Sequence, residues 1–277
     1  MTDFLENIAL PADIVPLESL PQGIPLSGTP VVWAPRSAKG DPVRLDIPPG
    51  KCLTLVEILP ERAETHFSIA VGADAHLNHI RIIAQGADTR YTAQVGDGAT
   101  LELSTLILGG ESDNRYEIDC YQGSSVALYG LGVPTDKERI ANRIRLCHKA
   151  PLGQSNQVFR YVVDQQAQAV FDGKIIVEKD AQKIQAYQKN DNILLSPTAR
   201  VESDPQLEIY ADDVRCSHGA SVGQLDQTAL FYMRSRGIPY AIARKMLIRS
   251  FLDQTLAAVR QDWLGEGIGE RLSARMV

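Results

Sequence analysis

The feature that most constrains this chain is a repeat of short strand-like runs separated by glycine-marked turns. Three similar segments, VGADA, VGDGA and YQGSS, mark successive turns, and their glycines Gly72, Gly96 and Gly123 lie 24 and 27 residues apart. Repeats of about 20 to 50 residues built from short strands are typical of solenoids, because each unit buries its apolar face against its neighbours. The repeat therefore predicts a parallel β-helix with one coil per unit.

The strand-like pattern extends from about residue 31 to residue 220. The runs LTLVEI at 53–58 and LELSTLIL at 101–108 are largely apolar at alternate positions, as half-buried strands are. No helical stretch of about ten to fifteen residues interrupts these strands, which argues against a doubly wound α/β sheet. A β-sandwich with frequent turns is the competing interpretation of the same pattern.

A change of periodicity near Leu225 marks the end of the strands. Asp226 is suited to cap a helix over residues 227–236, since its carboxylate can accept from amides of the first turn, and Gly237 is suited to end it. Pro239 fits the first turn of a second helix. An apolar stripe follows one face of that helix: Ile248, Leu252, Leu256, Val259 and Trp263.

A short amphipathic tail over residues 268–276 predicts one more helix. The predicted organisation is therefore a lead segment (1–30), a β-helix core (31–225) and a C-terminal helical subdomain (226–277).

Composition and charge argue against nucleic acid and membrane as partners. The formal net charge is −6, without the basic field that phosphate binding needs. No segment approaches the roughly eighteen apolar residues of a membrane span, and the first residues lack a basic region followed by an apolar run. We therefore expect a soluble, cytoplasmic protein. From Asp226 onward, eight basic and five acidic residues leave a net +3, which fits a solvated face or a docking surface for an acidic partner.

Motifs of nucleotide hydrolysis and of common hydrolytic enzymes are missing from the sequence. There is no G-x-x-x-x-G-K-[ST], no G-x-S-x-G and no H-E-x-x-H. The four cysteines include no C-x-x-C pair and are too sparse for a disulfide framework. Three of them, Cys52, Cys120 and Cys147, lie among apolar residues, which predicts buried, inert thiols.

One pair of side chains stands out just before the boundary between strands and helices. Cys216 and His218 are two positions apart, so in an extended strand both project from the same face. A thiolate and an imidazole together can hold iron, zinc or a sulfur-containing intermediate. From the residues alone, a structural role for the pair is open as well.

Five ordered blocks of sequence resemble the SufB/SufD family of iron–sulfur cluster assembly proteins. The blocks span roughly residues 155–255 and read FDGKI (171–175), NILLS (192–196), PQLEIYADDV (205–214), CSHGASVG (216–223) and LFYMRSRGI (230–238). Within the family the chain is similar to the SufD branch. SufB-type members carry glutamate where this chain has Gly219, and Asn190 occupies the position of the cysteine proposed to initiate cluster assembly in SufB.

The resemblance implies a mainly β fold: a right-handed parallel β-helix followed by a small C-terminal α-helical subdomain. The proline-containing lead is short, so we expect a short form that lacks the long N-terminal helical region of the family. The resemblance also implies a non-catalytic subunit that pairs with a SufB-like scaffold and docks a SufC-like ABC ATPase, two copies of which belong to the complex. The unpartnered edge or face of a solenoid predicts a homodimer when the chain is isolated.

The resemblance further assigns roles to individual residues. Cys216 and His218 would lie at the interface with the SufB-like partner and hold iron or a transient iron–sulfur cluster there, with no tightly bound cofactor. The residues expected to dock the ATPase belong to the helical subdomain: Phe231, Arg234, Arg236, Arg244 and Arg249.

Two other functions are compatible with such a fold. Parallel β-helices also host carbohydrate-active enzymes, which need paired acids along a groove, whereas the adjacent Asp212 and Asp213 point apart in a strand. The other alternative is a purely structural homodimer that has lost the chemistry. Glycan turnover would identify the first, and failure to recruit a SufB-like partner would identify the second.

Overall fold

A computed structural model describes residues 30–33 and 42–257, together with residues 268, 272 and 275. The described strands form two parallel sheets stacked as a solenoid of about seven turns, and two helices follow them. This confirms the predicted parallel β-helix and excludes the β-sandwich, whose sheets are antiparallel. Most of the predicted lead segment, Val259, Trp263 and most of the predicted tail helix lie outside the described residues.

The first sheet has eight strands in the spatial order β1 (Val31–Trp33), β3 (Cys52–Leu59), β5 (His76–Ile83), β7 (Thr100–Ile107), β9 (Ser125–Gly132), β11 (Gln154–Val163), β13 (Ile184–Leu194) and β15 (Val214–Gly223). The second sheet has seven, in the order β2 (Val43–Ile47), β4 (Ala63–Val71), β6 (Ala87–Val95), β8 (Ser112–Cys120), β10 (Arg139–His148), β12 (Gln168–Val177) and β14 (Arg200–Ile209). Strands β14 and β15 therefore end their sheets at the same end of the solenoid.

Each early coil repeats the one before it in register. Leu53 pairs with Leu77, Leu77 with Leu101 and Leu101 with Val126, so these coils advance by 24, 24 and 25 residues. Equivalent side chains thus stack in rows along the solenoid, alternately inside and outside. The row that begins at Leu53 lies in the apolar interior between the two sheets.

A left-handed backbone residue turns each coil at one corner. The amide of Gly98 donates to the carbonyl of Gln122, and the amide of Gly123 donates to the next coil. Their φ angles are 67° and 64°, which favour glycine. In later coils Leu152 and Lys183 take the same corner with φ of 69° and 60°, so the glycine signal of the early repeats fades along the chain.

Helix α1 (Gln227–Ser235) follows the last strand and begins as predicted. The carboxylate of Asp226 accepts from the amides of Thr228 and Ala229 at 2.8 and 3.0 Å. Gly237, with φ of 84°, ends the helix, and its amide donates to the carbonyl of Arg234. Helix α2 (Tyr240–Leu256) follows directly after Pro239.

The two helices fold back over the outer face of the first sheet. Helix α2 packs there on β9 and β11. A second apolar core contains residues of the strands and of the helices: Val56, Ile58, Ile80, Ile82, Leu106, Leu108, Leu230, Ala243, Ile248 and Leu252. The predicted stripe of α2 therefore packs on the solenoid itself. The second sheet, by contrast, alternates buried and exposed residues and keeps one face in solvent.

The cysteine prediction holds for two thiols and is wrong for the third. Cys120 and Cys147 are buried, whereas Cys52 is exposed. Cys52 is the first residue of β3 and lies on the face opposite Leu53, outside the interior core. No helix among the described residues is both long and apolar enough to cross a membrane.

Candidate functional site

The end of the solenoid formed by β14 and β15 is open. Each of these strands is the last of its sheet, and no residue of β15 is buried in the described part of the chain. Large apolar side chains are exposed nearby, including Tyr210 at 63% and Val222 at 50%. A ten-residue edge strand with free backbone groups is a template for pairing with another chain.

Cys216 and His218 lie side by side on this edge strand. Cys216 pairs in register with Ala186, and His218 pairs with Gln188. Ala186 and Gln188 are buried inside the preceding coil, so both site residues belong to interior rows that reach the open end. Cys216 is half-buried and packs against the interior core, whereas His218 is exposed. The expected common face of the pair is therefore present, at the mouth of the solenoid.

The chemistry of the pair is that of an incomplete metal site. Burial raises the pKa of the Cys216 thiol, and a backbone hydrogen bond with Ala186 partly offsets that rise. The thiol is therefore protonated at neutral pH until a cation or an electrophile reaches it. No group of three or more His, Cys, Asp or Glu side chains within the described residues is arranged to hold a metal ion. One thiol and one imidazole supply only two ligands, and iron bound there would need more.

Polar side chains line the interior directly behind this mouth. Five of them come from β11, β13 and β14: Gln157, Gln188, Asn190, Asn192 and Ser203. Of these five, only Asn190 was singled out from the sequence, since polar residues in alternating strands look like surface positions. A signal was nevertheless present, because Gln157, Gln188 and His218 recur at intervals of one coil.

Asn190 is held firmly inside the solenoid. It is fully buried. Its Oδ1 accepts from Ser203 and from Asn192, each at 2.7 Å, and its Nδ2 donates to the carbonyl of Phe159 at 3.2 Å. Gly219, by contrast, lies on the open edge with no atom within 4 Å of the place where a Cβ would lie. Asn190 and Gly219, the two positions that the resemblance singled out, thus occupy a closed interior and an open rim.

A polar chain of contacts connects the edge strand to helix α2. The hydroxyl of Ser221 donates to Asp191 at 2.8 Å, and Arg160 lies 3.5 Å from the same carboxylate. Arg160 also donates to the hydroxyl of Thr255 at 3.1 Å and lies over the ring of Phe251. Strands β15, β13 and β11 are thereby joined to α2 through side chains.

The five residues expected to dock an ATPase divide into two groups. Phe231 is 73% exposed, and the guanidinium groups of Arg234 and Arg236 lie over the exposed rings of Tyr240 and Tyr232. These residues form one exposed aromatic and cationic surface on α1 and the start of α2.

The other two arginines already have intramolecular partners. Arg244 lies 3.1 Å from Asp164 of the solenoid, and Arg249 pairs with Asp253 one turn further along α2. Arg249 also lines a shallow groove on α2 with Lys245 and Met246.

Known proteins are similar to this chain in sequence. Residues 49–251 match the family model for the SufBD core domain of SUF system FeS cluster assembly. The chain is 34% identical over 216 residues to the iron-sulfur cluster assembly protein SufD of Escherichia coli strain K12, covering 76% of this chain and 51% of that protein. It is 34% identical over 207 residues to a SufBD family protein of Synechocystis, covering 68% and 43%.

A shorter match, 45% identical over 102 residues, relates 36% of the chain to 22% of the chloroplastic protein ABCI7 of Arabidopsis thaliana. The chain thus spans about half, or less, of the length of these relatives. The matched family region runs from just before β3 into α2 and includes the open edge with Cys216 and His218. The chain therefore belongs to the SufBD core family of the SUF iron–sulfur cluster assembly system, and it is SufD-like.

Proposed function

We propose that this chain is the non-catalytic SufD-like subunit of an iron–sulfur assembly complex, and that it pairs through β14 and β15 with a SufB-like scaffold. The single observation that carries the proposal is the open edge strand on which Cys216 and His218 lie together. An edge strand of this length gains stability when another chain pairs with it. In isolation, a second copy of the chain takes that place.

Iron is the cargo of this site, and the chain carries no resident cofactor. A neutral imidazole and a thiolate are both competent ligands for iron, and two of them leave coordination positions for groups of the partner. The raised pKa of the Cys216 thiol delays its ionisation until iron arrives. The fully hydrogen-bonded Asn190 offers no sulfur acceptor, so the partner supplies that role.

The helical subdomain docks a SufC-like ATPase. Its exposed surface of Phe231, Arg234 and Arg236 combines an aromatic anchor with cations, which are the residue types enriched at protein interfaces. Arg244 and Arg249 play a smaller part, because each already has a carboxylate partner. The contacts from Thr255 through Arg160 and Asp191 to Ser221 offer a physical route from the docked ATPase to the edge strand.

The test is cluster yield from the reconstituted complex of this chain with its SufB-like and SufC-like partners. His218→Ala is expected to lower the yield of bound iron and sulfide at least about tenfold, because one imidazole ligand is lost at the seam. Complex formation by size-exclusion chromatography is expected to stay intact, since His218 is exposed and is one residue of a ten-residue edge strand whose backbone carries the pairing.

The matched control is His76→Ala, which removes a partly exposed imidazole from β5, far from β15 along the first sheet. This variant is expected to assemble clusters like the parent chain. Equal yields from His218→Ala and the parent chain would remove His218 from the function. Glycan turnover by the purified chain would favour the carbohydrate-active alternative.

A further inference from the structure

Two glutamines form a hydrogen-bonded ladder inside the solenoid, directly behind His218. Gln157 and Gln188 are neighbours in register, and Gln188 is the register neighbour of His218. The Nε2 of Gln188 donates to the Oε1 of Gln157 at 2.9 Å, and the two side chains are 3% exposed or less. The row therefore runs from a closed coil to the open edge.

The ladder has a direction. Gln188 uses its nitrogen on the side of Gln157, and its Oε1 is buried without a hydrogen-bond partner. At the other end of the ladder, the Nε2 of Gln157 is also without a partner. Gln188 and His218 are neighbours in register, so His218 is the next side chain in the row that could donate to the unpaired Oε1 of Gln188.

A glycine on the opposite sheet makes room for this arrangement. A Cβ at Gly173 would lie 2.4 Å from the Nε2 of Gln188 and 2.7 Å from the ring of Phe171. Any other residue at position 173 would therefore push the carboxamide of Gln188 from its place. The FDGKI block, which resembles the SufB/SufD family, thus has a structural reason for its glycine.

We propose that Gln188 is a positioning residue for His218: the Oε1 that has no partner in the structure accepts from one ring N–H of His218 when the imidazole turns towards the interior, so that the other ring nitrogen presents its lone pair at the open edge. Histidine ligands of metals are commonly held in one tautomer by such an acceptor. A buried carbonyl oxygen without a donor is unfavourable, so the bond also satisfies Gln188. The assignment deepens the proposed function and rests on it for the role of His218.

The test reads the tautomer of His218 in the full chain by long-range ¹H–¹⁵N NMR on protein labelled at its five histidines. The His218 resonances are identified as those missing from His218→Ala. In the parent chain we expect a single tautomer. In Gln188→Met, which keeps the size of the side chain and removes the acceptor, we expect the mixture of tautomers typical of an unconstrained imidazole.

A second measurement titrates Co²⁺ into the same proteins. Loss of the orienting hydrogen bond is expected to weaken Co²⁺ binding about 10- to 100-fold in Gln188→Met. Gln185→Met is the matched control, because Gln185 is exposed on the same strand, and it should change neither readout. If Gln188→Met folds poorly, Gln157→Met/Gln188→Met removes both partners of the ladder bond and carries the same expectation.

The outcomes separate this inference from the proposed function. An unchanged His218 tautomer in Gln188→Met overturns the inference, whatever the cluster yield of His218→Ala. A changed tautomer, combined with full cluster yield from His218→Ala, sustains the inference about Gln188 and overturns the function of the site.

Discussion

Polar groups occur inside both ends of this solenoid, but they are treated differently. In the early coils Glu57, His79 and Arg81 are all fully buried. Arg81 donates to the carboxylate of Glu57, to the hydroxyl of Thr65 at 3.0 Å and to that of Thr89 at 3.3 Å. Behind the last coil, Gln188 and Asn192 keep buried carbonyl oxygens without partners next to an uncovered edge. Glu57 Oε1 and His79 Nε2 of the early network also lack partners. The difference lies in the cover: strands on both sides pair with β3 and β5 and close the early network off, whereas no described strand pairs beyond β15.

The largest expected effect tests the closed network. Glu57→Gln keeps the size of the side chain but leaves the charge of Arg81 buried and uncompensated. We expect a loss of about 3 to 5 kcal/mol in the free energy of unfolding, measured by urea denaturation. The exposed pair of Arg62 and Asp88, at 2.8 Å, is the control, and Arg62→Ala is expected to cost less than about 1 kcal/mol. Equal losses of unfolding free energy in Glu57→Gln and Arg62→Ala would show that burial does not determine how much the ion pair contributes to stability.

The second effect concerns pH and a histidine of the closed interior. Burial lowers the pKa of His148 to about 4, and its Nδ1 has no hydrogen-bond partner. Because the folded-state pKa lies below the ordinary value, the unfolded chain binds the proton first. Stability is therefore complete above about pH 6.5 and falls as the pH drops towards 4, by about 3 kcal/mol from this residue. His148→Gln should flatten that part of the curve of unfolding free energy against pH.

The comparison of His148→Gln with the parent chain at pH 8 serves as its control. Both forms are uncharged at that position there, so the difference reports packing alone. Subtracting the difference in unfolding free energy at pH 8 from the difference at lower pH leaves the part that depends on protonation of His148. Parallel curves for the two proteins between pH 6.5 and 4 would contradict the assignment of this slope to His148.

The smallest effect tests the open end. Asp191→Asn weakens the link between Ser221 on β15 and Arg160 beneath α2. We expect faster amide hydrogen exchange in β15, with a global stability change of about 1 kcal/mol or less, because the edge strand opens locally. Lys189→Met is the control, because it removes a 59% exposed cation from the carboxylate of Asp191 and leaves both Ser221 and Arg160 in place. If amide hydrogen exchange in Asp191→Asn rose as much in the early strands as in β15, the loss of the Asp191 contacts would not act locally on the edge strand.

The sequence carried the architecture because glycine recurs in the early turns. A Cβ at Gly72 or Gly96 would lie 2.8 or 2.9 Å from a carbonyl oxygen of the preceding coil, whereas Gly123 takes the positive-φ corner that Gly98 takes one coil earlier. The interval of 27 residues therefore joined two different turn positions, and Leu152 and Lys183 hide the corner in later coils. The bounds of α1 could also be predicted from the sequence, because Asp226 and Gly237 begin and end that helix through local hydrogen bonds.

The rows of polar side chains inside the solenoid could not be predicted from the sequence in this way. Glu57 and Arg81 are neighbours in register because they lie one coil apart in the sequence. The length of a coil cannot be predicted from the residues around either one. The pairing of Gln188 with His218 likewise depends on a register that only the folded solenoid sets. Cys216 and His218 could be selected in advance, since their two-residue spacing needs no more than an extended strand. Their position at an uncovered end depended on where the helices pack.

The packing of α2 on β9 and β11 has a consequence for handling the protein. Repeat proteins generally depend on a polar cap at each terminus to remain dispersed. Here every residue of β15 stays at least partly exposed, and no described helix covers that strand. We therefore expect light scattering by the purified chain to rise with protein concentration and to decrease when a partner subunit covers β15.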